Sequence, residues 1–211
     1  MSGARIAVEA RLASALDRRD EAPNIELAEE LAQTQDMAAI ADLAQILATG
    51  KQAAKSDAIK VLYEIGERDP SLIAGHTDAF LCLAVGGNNR LVWGALTALA
   101  CICRVAPELI ADNLDTILTA ADKGSVIAKD QAMVVLVLLL ADERHSASVA
   151  PVLLDRLAAS AINQLPMYAE RAAPVIPTGE KSTFRKILEA RLKDELPASK
   201  RKRLEKVMKR L

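Results

Sequence analysis

From Lys51 onward, apolar residues recur in steps of three and four. The stretch from Gln52 to Gly66 places Ala54, Ala58, Val61, Leu62 and Ile65 on one stripe. That spacing follows the 3.6-residue turn of an α-helix and predicts a helix with one buried face. The same pattern returns 37 residues later with Ala95, Leu99 and Ile102, and again with Ala132, Leu136 and Leu139. Gly50, Gly87 and Gly124 stand at the head of three successive 37-residue lines, and a fourth gap-free line begins at Ala161. One column is Ala in all four lines (Ala58, Ala95, Ala132, Ala169), and another reads Ile65, Ile102, Leu139, Ile176. A third runs Leu62, Leu99, Leu136 and then Ala173.

A small residue inside the stripe lets two helices approach closely. Pro70 and Pro107 share a column that becomes Arg144 in the third line, and a proline at that place ends the helix. A second stripe follows through Phe80 and Leu83, then Ile117 and Leu118, then Leu154 and Leu157. Each line therefore predicts a helix, a corner and a second helix. Neither helix can bury its stripe alone, so neighbouring lines must stack. Three helical segments precede them: Ser2 to Arg19, Ile25 to Gln35, and Met37 to Thr49, with Asp17 to Asn24 as the expected internal linker.

The stretches "KQAAKSDAIKVLYEI" and "NNRLVWGALTALACI", each after a Gly or Asn corner, resemble the second helix of a HEAT repeat. The resemblance implies an all-α fold, a right-handed α-α superhelix of about five helix pairs, forming one domain over residues 1–211. Within it, 1–49 are N-terminal helices, 50–197 four repeats, and 198–211 a basic capping helix. The fourth line departs from the pattern, with Pro166, Pro174 and Pro177 in or beside its helix. A three-helix armadillo-like repeat fits less well, because each line has room for two helices. The family implies a binding scaffold that is not an enzyme.

On the first helix of each line, positions opposite the stripe should face water. Ser56, Lys60, Tyr63 and Glu67 are polar, but Trp93, Thr97, Ala100 and Arg104, and then Asp130, Val134, Val137 and Ala141, are largely not. A contiguous apolar patch marks a contact site, and Trp is a favoured anchor. Tyr63, Trp93, Thr97, Ala100, Val134 and Val137 are thus candidate contacts for a protein partner or a second copy. The alternative is that neighbouring parts of the same chain cover them.

Composition narrows the class further. Hydrophobic residues make up 51% of 211, but aromatics only 2%, so Ala, Leu, Val and Ile do the packing. Three cysteines (Cys82, Cys101, Cys103) make no disulfide framework and read as small buried hydrophobes in a reducing, cytoplasmic setting. The charged start is not a signal peptide, and "AMVVLVLLLA" is too short to span a bilayer. His76 and His145 lack partners at metal-ligand spacing, and no phosphate loop or nucleophile elbow occurs. No cofactor is expected.

Charge is uneven: residues 1–179 hold 15 Lys plus Arg against 23 Asp plus Glu, and residues 180–211 hold 12 against 5. The tail predicts a helix capped by Ser199, with Leu204, Val207, Met208 and Leu211 on one side. Lys200, Arg201, Lys202, Arg203 and Lys206 on the rest are candidate contacts for an anionic partner, nucleic acid among them. No aromatic is interleaved with these cations, which argues against base stacking. Ser182 or Thr183 is expected to cap the helix that follows.

Overall fold

The computed structural model describes residues 8–211, and among them it contains helices and no strand. The helices are α1 (Ala22–Thr34), α2 (Met37–Thr49), α3 (Gln52–Arg68), α4 (Ser71–Ala74), α5 (Thr77–Ala84), α6 (Asn89–Ile102), α7 (Pro107–Asp112) and α8 (Leu114–Lys123). They continue with α9 (Val126–Ala141), α10 (Glu143–Ala159), α11 (Leu165–Ala172), α12 (Lys181–Arg191) and α13 (Ala198–Met208). A 3₁₀ turn, Thr178–Glu180, precedes α12. The chain forms two compact units, Met1–Ala132 and Met133–Leu211.

In the first unit α1, α3 and α6 pack one after another as one row, called the ridge row below. A second row, α2, α5 and α8, packs against it through α2 on α3, α5 on α6 and α8 on α6. The repeat columns are what these rows bury. Ala58, Ala95, Leu62, Leu99, Ile65 and Ile102 are fully buried, as are Phe80 and Ile117 from the second row. In the second unit α10 packs on α12 and α11 on α13, around Leu153, Leu157, Leu165, Ala169, Phe184, Leu188 and Leu204.

The register is regular. The helices α3, α6 and α9 start at Gln52, Asn89 and Val126, 37 residues apart. Continuing that step gives 163 and 200, within two residues of the starts of α11 at Leu165 and α13 at Ala198. The basic tail helix is therefore in step with the repeats. At the corners, Asn88 Oδ1 accepts from the backbone N–H groups of Arg90 (3.0 Å) and Leu91 (3.2 Å), capping α6. Gly50 and Gly124 are needed for space, since a Cβ there would lie 2.8 Å from Ile46 Cγ2 or Ala128 Cβ.

Four expectations are corrected. Lines one and two contain a short extra helix, α4 just after Pro70 and α7 starting at Pro107, so each holds three helical pieces rather than two. The third line has Arg144 in the proline column, and there α10 runs unbroken from Glu143 to Ala159. Residues 2–7 of the predicted N-terminal helix lie outside the described residues. From Ala10 the chain turns instead of continuing as helix, with Asp17 in the left-handed region at φ 54°. Asp17 to Asn24 is no loose linker, because Asn24 is buried: its Oδ1 accepts from Ala13 N–H (3.0 Å) and its Nδ2 donates to Asp57 (2.8 Å). Finally, Ser199, Ser182 and Thr183 cap nothing. The residues at the caps are Pro197 and Glu180, and no side chain bonds either helix start.

The close approach of α3 and α6 yields a stability prediction. A Cβ on Gly94 would meet Ile59 Cγ1 at 2.8 Å, and the adjacent Ala95 has no exposed surface. Ala95→Leu is expected to destabilise the first unit by about 1–3 kcal/mol through overpacking. Urea denaturation followed by circular dichroism measures it; an unchanged midpoint would mean that α3 and α6 are not in tight contact.

Candidate functional site

The ridge row is narrower than a simple helical wheel suggests. Tyr63, Thr97 and Ala100 are buried, as is Lys60, whereas Trp93 is half-buried. The cause is lateral packing: a helix inside a row has neighbours on both flanks, which leaves only a strip open to water. On that strip Glu67 of α3 and Arg104, just beyond α6, lie 37 residues apart and form an ion pair at 3.3 Å. Thr97 turns its hydroxyl inward, donating to the Trp93 carbonyl at 2.9 Å.

The structure brings Tyr63 and Trp93 together. Their ring centroids are 5.7 Å apart and the planes tilt by 49°, a favourable arrangement for aromatic pairs. The Lys60 ammonium stands 4.9 Å from the centre of the Tyr63 ring. Val134 and Val137, also candidate contacts, are half-buried on the part of α9 assigned to the second unit. The site built here therefore belongs to the first unit alone: Trp93 and Tyr63, with the charges beside them.

Those charges form a chain that the sequence pattern did not disclose. Lys60 Nζ reaches Glu64 at 2.8 Å and Glu21 at 3.1 Å. Glu21 also pairs with Arg90 at 3.0 Å, and Glu64 with Arg68 at 2.8 Å. The signals available were Glu64 four residues after Lys60 and Arg68 four after Glu64; the reach to Glu21 and Arg90 needs the fold. Burial alone would lower the Lys60 pKa, but the carboxylates of Glu64 and Glu21 and the Tyr63 phenol outweigh it, so Lys60 stays charged well above its ordinary range. Burial would likewise raise Glu64, yet Lys60 and Arg68 hold it below the usual carboxylate range. Tyr63 is pushed up by burial, a shift that Lys60 partly offsets.

The depressed Glu64 value fixes a pH dependence. A carboxylate whose folded pKa lies below its unfolded one stabilises the fold above the unfolded value, and loses that contribution as pH falls through the folded value. A double-mutant cycle on Lys60 and Glu64 is expected to give a coupling of about 0.5–1.5 kcal/mol at neutral pH. The coupling should vanish at a pH below the depressed Glu64 value. A coupling that persisted there would show that the contact is not electrostatic.

Of the five tail cations, three are engaged within the second unit. Arg203 forms a two-pronged pair with Glu170 (2.6 and 2.8 Å), Arg201 donates to the carbonyls of Leu192 (2.7 Å) and Asp194 (3.3 Å), and Lys200 bonds Asn163. Lys202 and Lys206 are exposed. Elsewhere, burial pushes the Cys101 thiol up to about 12, so it carries no thiolate at neutral pH. Burial lowers His76. No group of acidic, His or Cys side chains among the described residues has a metal-holding arrangement, and no helix among them is long and apolar enough to cross a membrane.

No family model matches the sequence, and no curated protein matches it. Solved structures do. A designed armadillo repeat protein in complex with the peptide (KR)4 superposes with a TM-score of 0.70 at 14% identity, over 99% of this chain and 99% of that one. A second designed armadillo repeat protein gives 0.65 at 13% identity, over 90% and 92%. An engineered protein from the Northeast Structural Genomics Consortium gives 0.67 at 17% identity, over 100% and 98%. These likenesses establish the fold: an all-α helical repeat of the α-solenoid kind.

Proposed function

We propose that this chain is a non-catalytic repeat scaffold, cytoplasmic in setting, that binds a protein segment along the ridge formed by α3 and α6, with Trp93 as the anchor. The observation that carries this reading is Trp93 itself. The only tryptophan of the chain is left half-open and braced by Tyr63, with the Glu21–Arg90 pair reaching the helical turn before it and the Glu67–Arg104 pair further along the same two helices. An apolar ring between exchangeable ion pairs suits a segment that presents one apolar or cationic side chain and re-pairs with the charges around it. A related fold that holds a peptide, the designed armadillo repeat protein with (KR)4, supports the same kind of use.

Within the helical repeats the subtype is mixed. The unbroken α10 gives the third line the two-helix form of a HEAT repeat, while α4 and α7 give the first two lines the three-piece form of an armadillo repeat. The nucleic-acid reading of the tail has less support, because Lys200, Arg201 and Arg203 are already committed to partners in the second unit.

The test uses a displayed random-peptide library selected on the wild-type chain and on Trp93→Ala. Peptides enriched on the wild type should bind Trp93→Ala at least about tenfold more weakly, the loss expected for an anchor worth about 1.4 kcal/mol or more. They should also shift the emission of the single tryptophan. Peptides that bind both proteins equally, with no change in emission, would place the binding surface elsewhere.

A further inference from the structure

The helix that opens the ridge row of the first unit and the helix that closes the second unit carry opposite charges on their uncovered faces. On α1 the buried side is Asn24, Leu27, Ala28 and Leu31. Opposite it stand Glu26, Glu29 and Gln33, all exposed and spaced by three and four, so they form one stripe. Glu30 flanks that stripe and is occupied by Arg11 at 2.5 Å. The α1–α2 hairpin, residues 22–49, contains the carboxylates of Glu26, Glu29, Glu30, Asp36 and Asp42 and no Lys or Arg at all. Beside the stripe, Glu29, Ala32, Gln33, Arg68 and Asp69 line an open recess of about 320 Å³.

On α13 the geometry is the same with the sign reversed. Leu204 and Val207 are buried against the unit. Opposite them stand Lys202, Lys206 and Lys209, exposed and spaced by four and three. Glu205 and Arg210 flank this stripe, and Glu170 lies near Lys206 and Arg210 while paired to Arg203. The start of α13 lies within two residues of the 37-residue register on which the ridge-row helices α3 and α6 begin.

We propose that the chain associates head to tail with a second copy of itself, the α13 lysine stripe of one copy lying against the α1 glutamate stripe of the next. The α13 of one molecule thus stands where a preceding repeat helix would stand beside α1. The two surfaces differ, so the contact is heterologous and produces rings or open chains rather than a closed twofold dimer. Neither stripe has an apolar centre, so the association rests on ion pairs and weakens as salt screens them. This interface is independent of Trp93 and leaves the α3–α6 ridge free.

Sedimentation velocity of the full chain tests it at about 0.01 M and about 1 M salt, where the screening length falls from about 30 to about 3 Å. At low salt the sedimentation coefficient should rise with protein concentration, and at high salt the chain should sediment as a monomer. The tail reversal K202E/K206E/K209E and the head reversal E26K/E29K should each be monomeric at low salt with unchanged circular dichroism. Mixed in equal amounts they should associate again, because one variant has two acidic ends and the other two basic ends. A wild-type chain that is monomeric at every salt and concentration overturns the proposal. So does association that survives both reversals, or a mixture that stays monomeric. Should a variant misfold, the salt series on the wild type decides alone.

Discussion

Phe80→Ala is expected to cost the first unit about 3–5 kcal/mol, the range for truncating a fully buried aromatic whose cavity cannot collapse. Phe80 has no exposed surface and sits on α5, the helix that packs against α6 and also against α2 and α8 in its own row. Its loss leaves a cavity inside a helix that has neighbours on three sides. Aromatics are only 2% of the sequence, so few other side chains are bulky enough to fill the space. Domains of this size are stable by only about 5–15 kcal/mol, so the variant should lose a large share of its stability. Urea unfolding monitored at Trp93 and by circular dichroism reads the result. A loss under about 1 kcal/mol would mean that the row around α5 is loosely packed.

Asp57→Ala should be the most costly change at a polar site, about 2–4 kcal/mol for two hydrogen bonds lost from a buried carboxylate. Asp57 is buried on α3, where its Oδ2 accepts from Ser14 N–H at 2.8 Å and its Oδ1 from Asn24 Nδ2 at 2.8 Å. Alanine would leave an orphaned backbone donor and a buried amide. The turns from Ala10 to Asp17 would lose the tie that fastens them to the ridge row. Asp57→Asn keeps one acceptor but sets an NH2 against the second donor, so it should recover only part of that loss. Limited proteolysis offers a second readout: cleavage between Ala10 and Asp20 should accelerate in the alanine variant. Equal stability of both variants and the parent would show that the carboxylate does not hold this segment.

The contrast between these two residues shows what was legible in the sequence. Phe80, Ala58, Ala95 and Ile102 could be assigned to the core because helical periodicity and the 37-residue columns agree, and packing obeys that periodicity directly. Asp57 could not, because a carboxylate one place from the stripe looks like any solvated acid until the distant Ser14 amide and Asn24 are brought to it. The same limit applies to the ridge. A wheel describes a helix against one neighbour, whereas α3 has α1 on one flank and α6 on the other. On such a wheel Lys60, Tyr63, Thr97 and Ala100 face water, yet they are buried, which is the covering by the same chain that stood as the alternative. The proline column marks helix starts as much as ends: Pro70 lies two residues past α3 and is the N-cap of α4, whereas Pro107 lies five residues past α6 and is the first residue of α7, a place that suits proline.

The binding role of the α3–α6 ridge is tested most directly by amide hydrogen exchange on the whole chain, with and without a peptide selected against it. Slower exchange confined to α3 and α6, strongest around Tyr63 and Trp93, is the predicted result. Protection that appears only outside α3 and α6 would contradict it.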